Sequence, residues 1–218
     1  MGVITEVVLR ASGMIIKYIG DASMHIHNAP LEDPNHPTAA VETGLSMLRA
    51  VEKFNEEITR DGRPPIGMGA GINTGLGYLG EMGSTKRHSY DVLGDAVSTA
   101  ARIESKCKEY GCLLLVGGDT VRCGQNEFFF LKVDDLAVKG KTVGVGIHTV
   151  LDLNKDKYIK PAQMHHDMHM NYQKQDFDKS IKICNDLMEC FEGQMKGYYN
   201  MWIERCEYMK TQDLPKDW

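Results

Sequence analysis

Only Gly193 and Gly197 of the 22 glycines lie beyond residue 152. Glycine marks tight turns, bulges and places where backbones approach closely. The first 152 residues are therefore constrained to a turn-rich succession of short strands and helices. Residues 163–218, rich in Met, Tyr, Lys and Glu, read as two or three helices. The polar stretch 153–162, which contains Pro161, reads as a linker between them. A chain of 218 residues suffices for one sizeable domain with a small appendage.

Within the first zone the periodicity predicts a helix over residues 3–10, stopped at Gly13. Two short strands, 14–18 and 22–27, flank Ile19-Gly20-Asp21, a hairpin with a tight Gly-Asp turn. Pro37 opens a helix whose apolar face carries Ala40, Leu45, Leu48, Val51, Phe54 and Ile58. Residues 66–74 read as a glycine-rich strand, with 77–82 as its hairpin partner. A strand-to-helix turn and a helix occupy 92–106, and strands follow at 113–116, 128–133 and 144–151. Strands and helices interleave but hairpins are frequent, so the expected class is α+β. In the tail, Met168, Tyr172, Phe177, Ile181, Cys184, Leu187 and Met188 suit the apolar faces of a helical pair. Trp202, Ile203, Cys206 and Met209 repeat that spacing.

Charge and composition exclude several classes. A net charge of −5 argues against a phosphate-backbone binder, so no nucleic-acid partner is expected. No apolar run approaches the roughly 18–20 residues a membrane helix needs. Glu6 and Arg10 interrupt the apolar start, which makes a poor signal peptide, and Glu6 also breaks the myristoylation pattern. The six cysteines lack CxxC spacing and read as reduced thiols of an intracellular, cytoplasmic chain. His25 and His27 share a strand face, and His165, His166 and His169 cluster in the tail. Neither group has the partners of a zinc site.

Three motifs carry possible chemistry. Lys17 and Asp21 flank the first hairpin turn, KYIGD, where a carboxylate serves either the turn or a divalent cation. In SYDVLGDAVSTAAR, Asp91 ends a strand and Asp95 stands where a helix cap belongs. Ser98 and Arg102, at i and i+4, share a face that suits one phosphate group, or an ordinary amphipathic helix. Val138-Lys139-Gly140-Lys141 is a basic turn, either a phosphate holder or a solvated loop.

Together the segments IIKYIGDASMHIHNAP, GAGINTG, GYLGEMGSTKRHSYDVLGDAVSTAARIE and LAVKGK resemble the catalytic domain of class III nucleotide cyclases over residues 1–152. The resemblance implies a ferredoxin-like α+β domain acting as a head-to-tail homodimer, or paired with another cyclase chain, with active sites at the interface. It implies Asp21 as the second of two metal aspartates and Lys17 with Asp91 as the base-reading pair. Arg102 would stabilise the transition state and Lys139 would bind the terminal phosphates, with two Mg2+ or Mn2+ ions as cofactors. Lysine only donates and aspartate only accepts, which complements adenine's N1 acceptor and 6-amino donor. The expected substrate is therefore ATP and the expected activity adenylate cyclase. The alternative is a catalytically inactive, cyclase-derived nucleotide-binding or dimerisation module.

Two departures accompany the resemblance. Serine stands at position 98 where the family usually has a ribose-orienting asparagine. No segment equivalent to the family's first strand, which carries the first metal aspartate, precedes Met1 or occurs elsewhere. The expectation is an N-terminally incomplete domain lacking its first strand, the cytosolic part of a larger, membrane-tethered protein in one version. Residues 163–218 resemble the helical, TPR-like tail that follows some bacterial-type cyclase domains.

Overall fold

The computed structural model describes residues 1–84, 86–124, 127–136, 144–151 and 155–215. Helix α1 (Gly2–Arg10) buries Val8 and ends where the Gly13 amide donates to the Val8 carbonyl at 2.9 Å. A Cβ at Gly13 would lie 2.8 Å from Val8 Cγ1, so glycine is what lets the chain turn there. Strands β1 (Met14–Ile19) and β2 (Ala22–Ile26) form the expected hairpin, with Gly20 at φ 63° in its turn and a bulge between Ile15 and Lys17.

Helix α2 (His36–Arg60) carries Pro37 in its first turn, where a missing amide costs nothing. Its buried positions are Pro37, Val41, Thr43, Gly44, Met47, Val51 and Ile58, a stripe rotated slightly from the expected one. The rotation follows from Gly44. A Cβ there would sit 3.0 Å from Leu114 Cδ1, so the helix lies on the sheet at its glycine rather than at Leu45.

The central sheet runs β3 (Ala70–Ile72), β6 (Leu114–Gly117), β8 (Val145–Leu151), β7 (Phe129–Leu136) in spatial order. Strand β3 pairs parallel with β6, while β6–β8 and β8–β7 are antiparallel. The hairpin expected between 66–74 and 77–82 does not form. Instead β4 (Tyr78–Ser84) pairs antiparallel with β5 (Arg87–Leu93) as a separate two-stranded sheet. Two reasons favour this arrangement. The β4–β5 pairing is local and seven residues long, and Gly71 in β3 meets helix α3 (Asp95–Ser105) instead of a strand. A Cβ on Gly71 would lie 2.3 Å from the Glu104 nitrogen, so only glycine admits the helix at that distance.

Alternation along the strands assigns two layers to the sheet. Leu114, Val116 and Val150 face Val41 of α2 and Val121 of α5 (Gly118–Gly124). Leu115, Ile147, Leu131 and Val133 face the other way, toward Ile103 of α3 and Cys107 of α4 (Cys107–Tyr110). The C-terminal helices complete this second layer: α6 (Lys155–Gln173), α7 (Phe177–Leu187) and α8 (Lys196–Lys210). Residues 155–162, expected as a linker, are the beginning of α6, and Pro161 lies inside that helix. Tyr158 in this stretch is fully buried against Phe129 and Phe191, which explains why the polar composition does not produce a free connector. The fold is a mixed α+β architecture in which the tail shares the core of the preceding domain.

Candidate active site

Lys17 lies in β1 beside the bulge, and Asp91 lies in β5, 74 residues later. Lys17 Nζ donates to Asp91 Oδ2 at 2.5 Å. Asp91 Oδ1 accepts the Val92 amide at 2.8 Å. The Lys17 hydrogen bond, followed by that of the Val92 amide, holds the Asp91 carboxyl below the usual carboxylate range. The pair joins the β1–β2 hairpin to the β4–β5 hairpin. It is solvent-accessible, with 43% of the lysine and 17% of the aspartate side chain exposed, and exposed ion pairs contribute little to stability. Its consequence is chemical: a fixed donor stands next to a fixed, ionised acceptor.

Helix α3 is capped by Gly94 and not by Asp95, which occupies the first turn. Gly94 adopts φ 153°, and a Cβ there would lie 2.6 Å from the Leu76 carbonyl oxygen, a contact no capping side chain tolerates. Asp95 instead places its charge at the positive end of the helix dipole. Thr99 and Ile103 form the buried face, leaving Ser98 and Arg102 exposed together one turn apart. Ser98 Oγ donates to the Asp95 carbonyl at 3.1 Å. Among the described residues Arg102 has no ion-pair partner.

The remaining candidates stand apart. Asp21 is exposed on the β1–β2 turn, and no cluster of three His, Cys, Asp or Glu side chains suited to a metal occurs among the described residues. Lys139 lies outside the described residues. His25 and His27 are packed edge to face at 6.2 Å. Burial first, then His27, pushes the His25 imidazole down to about 4. A groove of about 500 Å3 at the start of α3 is lined by Thr74, Leu76, Tyr78, Asp95, Thr99 and Asp119. Another of about 480 Å3 lies between α6 and α7. Lys17, Asp91, Ser98 and Arg102 line neither groove; they sit on open surface.

Sequence reasoning missed the surface around them. Tyr18, Ile19, Leu76, Tyr78, Tyr90 and Leu93 are all exposed on or beside the two hairpins. Their alternation with polar residues gave a signal for strands but none for which face lacks a partner. No described helix is long and apolar enough to cross a membrane, and all six cysteines are free.

Comparison with known proteins places this arrangement. The profile of the adenylate and guanylate cyclase catalytic domain matches residues 4–153. An adenylate cyclase of Anabaena cylindrica is 38% identical over 147 residues, which cover 64% of this chain and 28% of that protein. The chain thus spans about a quarter of the length of the curated relatives it matches. The crystal structure of the guanylyl cyclase Cya2 superposes with a TM-score of 0.63 at 27% identity, covering 71% of this chain and 77% of that one. That of the adenylyl cyclase CyaB from P. aeruginosa gives 0.62 at 26% identity, covering 70% and 79%. The chain belongs to the class III adenylate/guanylate cyclase catalytic domain family.

Proposed function

We propose that this domain is an adenylate cyclase that converts ATP to cyclic AMP and pyrophosphate. The observation that carries the reading is the Lys17–Asp91 pair at 2.5 Å. An ammonium beside an ionised carboxylate matches the acceptor N1 and donor 6-amino group of adenine and mismatches the N1–H and O6 of guanine. Once a nucleotide covers the pair, a mismatch of this kind leaves groups unsatisfied, at a cost of about 1–3 kcal/mol each. Relatives named as adenylate cyclases favour the same nucleotide.

In the reaction the ribose 3′ oxygen attacks the α-phosphorus and its proton passes to solvent water. A phosphorus–oxygen bond forms to the 3′ oxygen, and the bond to the bridging oxygen of the β-phosphate breaks. Pyrophosphate leaves. The protein's work is positioning and charge stabilisation. Arg102, exposed on α3, meets the negative charge that builds on the α-phosphate. Ser98, one turn away, orients the ribose once its hydroxyl leaves the Asp95 carbonyl. Lys139 meets the leaving pyrophosphate. Divalent cations, when bound, lower the pKa of the attacking hydroxyl. One exposed carboxylate, Asp21, does not make a two-cation site, and the described residues of a single chain do not fit the pair of ions by themselves.

The open placement of these residues, together with the exposed Tyr18, Ile19, Leu76, Tyr78, Tyr90 and Leu93, favours an active site shared between two cyclase chains. A homodimer or a pairing with another cyclase chain would cover this apolar surface. ATP supply places the reaction in the cytoplasm, in signal transduction. A second reading, a non-catalytic nucleotide-binding or dimerisation module, is favoured by Asp21, which belongs to no metal-binding cluster among the described residues.

Purified protein supplied with Mn2+ and either ATP or GTP tests both readings. Cyclic AMP from ATP, with little cyclic GMP from GTP, is expected. Nucleotide binding without turnover of either would select the second reading. Unchanged ATP affinity in Asp91→Ala would remove the base-reading role.

A further inference from the structure

We infer that the C-terminal helices position the helix that carries Ser98 and Arg102, with Gly197 and Tyr198 as the positioning residues. This inference rests on the cyclase reading for its catalytic consequence, though not for its structural one.

The geometry centres on the irregular part of β7, where the register shifts between Lys132 and Asp134. Three consecutive residues there are each held by a different helix. The Lys132 carbonyl accepts from His165 Nε2 of α6 at 2.7 Å. The Val133 carbonyl accepts from the Tyr198 hydroxyl of α8, also at 2.7 Å. The Asp134 carboxylate accepts from the Tyr110 hydroxyl of α4 at 2.5 Å.

These bonds define the protonation of the network. A carbonyl only accepts, so His165 carries its proton on Nε2, and its Nδ1 accepts from the Tyr199 hydroxyl at 3.0 Å. Tyr198 spends its proton on Val133, so its oxygen accepts from His169 Nε2 at 3.0 Å. Burial first, then neighbouring histidines, lowers His165 to about 3 and His169 to about 4, so both imidazoles are neutral Nε2–H tautomers and the 3.2 Å approach of their Nε2 atoms is a contact without a shared proton. Every member is anchored, which makes the joint directional rather than merely apolar.

Helix α4 meets α8 at the same place. Gly111, at φ 61°, ends α4, and a Cβ on it would lie 2.7 Å from Gly197 Cα. A Cβ on Gly197 would lie 3.0 Å from Gly111 Cα. The two backbones touch with no side chain between them. Cys112 Sγ lies 4.0 Å from Met195 Sδ, extending the contact. Helix α4 follows α3 after Lys106 alone, and Ile103, next to Arg102, is buried in the same cluster as Tyr198, Tyr199 and Trp202. The joint therefore braces the C-terminal end of the helix whose exposed face bears Arg102. Gly71 of β3 supports the same half of the helix from the other side, against Ala100 and Glu104. The proposed base-reading pair is on the other side of this division, on hairpins that do not pack closely on the tail helices among the described residues.

A displacement of α3 by a fraction of an ångström changes transition-state contacts more than base contacts, so kcat and KM separate. The test uses the full chain and three variants, with cyclase kinetics and amide hydrogen exchange measured on each. Tyr198→Phe removes one hydroxyl, Gly197→Val drives a side chain into Gly111, and Leu187→Ala loosens α7, which packs chiefly on α6 and α8. The first two are expected to raise exchange over residues 95–110 by about tenfold, and to lower kcat by about tenfold with KM for ATP within about twofold. Leu187→Ala is expected to raise exchange in α7 while leaving kcat within about twofold. Unchanged exchange over 95–110 in Tyr198→Phe and Gly197→Val would overturn the inference. So would an equal loss of kcat in Leu187→Ala, which would mark a general loss of stability. If the unmodified chain cyclises neither ATP nor GTP, the cyclase reading fails, while the exchange comparison still decides whether the tail braces α3.

Discussion

The two hairpins and the tail joint hold the candidate site in opposite ways. Strand β5 has one buried residue, Val92, and its hairpin meets β1–β2 through the exposed Lys17–Asp91 pair. The joint between α4, β7 and α8 is buried: Tyr198, Tyr199 and His165 are hydrogen-bonded to one another or to backbone, and Tyr110 donates to the Asp134 carboxylate. The two halves of the proposed chemistry thus have different mechanical demands. Base reading requires two charges held side by side, which partly exposed strands provide. Stabilising charge on a phosphate, the role proposed for Arg102, requires an arginine at a fixed distance, and the inferred brace of α3 would provide that.

The largest effect should come from the joint's apolar side. Phe191→Ala, at a fully buried ring packed on Tyr158, is expected to cost about 3–5 kcal/mol in urea unfolding. If the tail were an independent appendage, the central sheet would keep its denaturation midpoint and only the helices would melt. A single transition that moves as a whole is expected.

Next in size is Arg102→Ala. Loss of one charge-stabilising donor is expected to lower kcat by about 10²–10³-fold with little change in KM. An effect confined to KM would move Arg102 to the base-reading half and erase the division.

Acid separates the regions by a smaller amount. Burial, then the neighbouring His169, pushes His165 down to about 3, while burial, then His166, pushes His169 down to about 4. Both remain neutral in the folded chain while the unfolded chain protonates below its ordinary value near 6.5. The stability they contribute is complete above that value and is lost as pH falls to about 4 for His169 and about 3 for His165, by up to about 1.4 kcal/mol per pH unit per histidine. Fluorescence of Trp202, edge-on to His169 at 4.7 Å, follows the tail through this range. His169→Gln should flatten the slope, and an unchanged slope would place the acid sensitivity elsewhere, His25 being the nearest alternative.

The smallest thermodynamic effect belongs to the hairpins. Asp91→Asn should raise KM for ATP about tenfold, as expected for one lost charged hydrogen bond, and leave the thermal midpoint unmoved. A large fall in the midpoint would show that the pair is structural and that the hairpins resemble the joint after all.

Much of this architecture is legible in the amino-acid sequence. The Gly20-Asp21 hairpin, α2 with Pro37 in its first turn, and the shared face of Ser98 and Arg102 follow from turn chemistry and from the 3.6-residue period. Each depends on contacts within a few residues. The motif resemblance also points to Lys17 and Asp91 as partners, and the structure brings them together. Sequence pattern misleads where a local signal has competing non-local partners. Residues 66–74 offer a strand next to another strand, but glycine at position 71 makes them the platform for α3 and a parallel neighbour of β6. Asp95 has the chemistry of a cap, yet Gly94 takes the role because the Leu76 carbonyl leaves no room for a side chain.

The turn at Gly20-Asp21, the helices that begin at Pro37 and near Asp95, and the residues that carry charge at family-like spacing are written in the order of the amino acids. Those are properties of neighbours along the backbone. Three features come from tertiary contacts alone: the polar stretch around Pro161 is helix, the tail shares the sheet's core, and Gly111 meets Gly197. Each depends on surfaces brought together from distant parts of the chain, where the burial of Tyr158, Tyr198 and Trp202 outweighs the local preference of a polar, proline-containing segment.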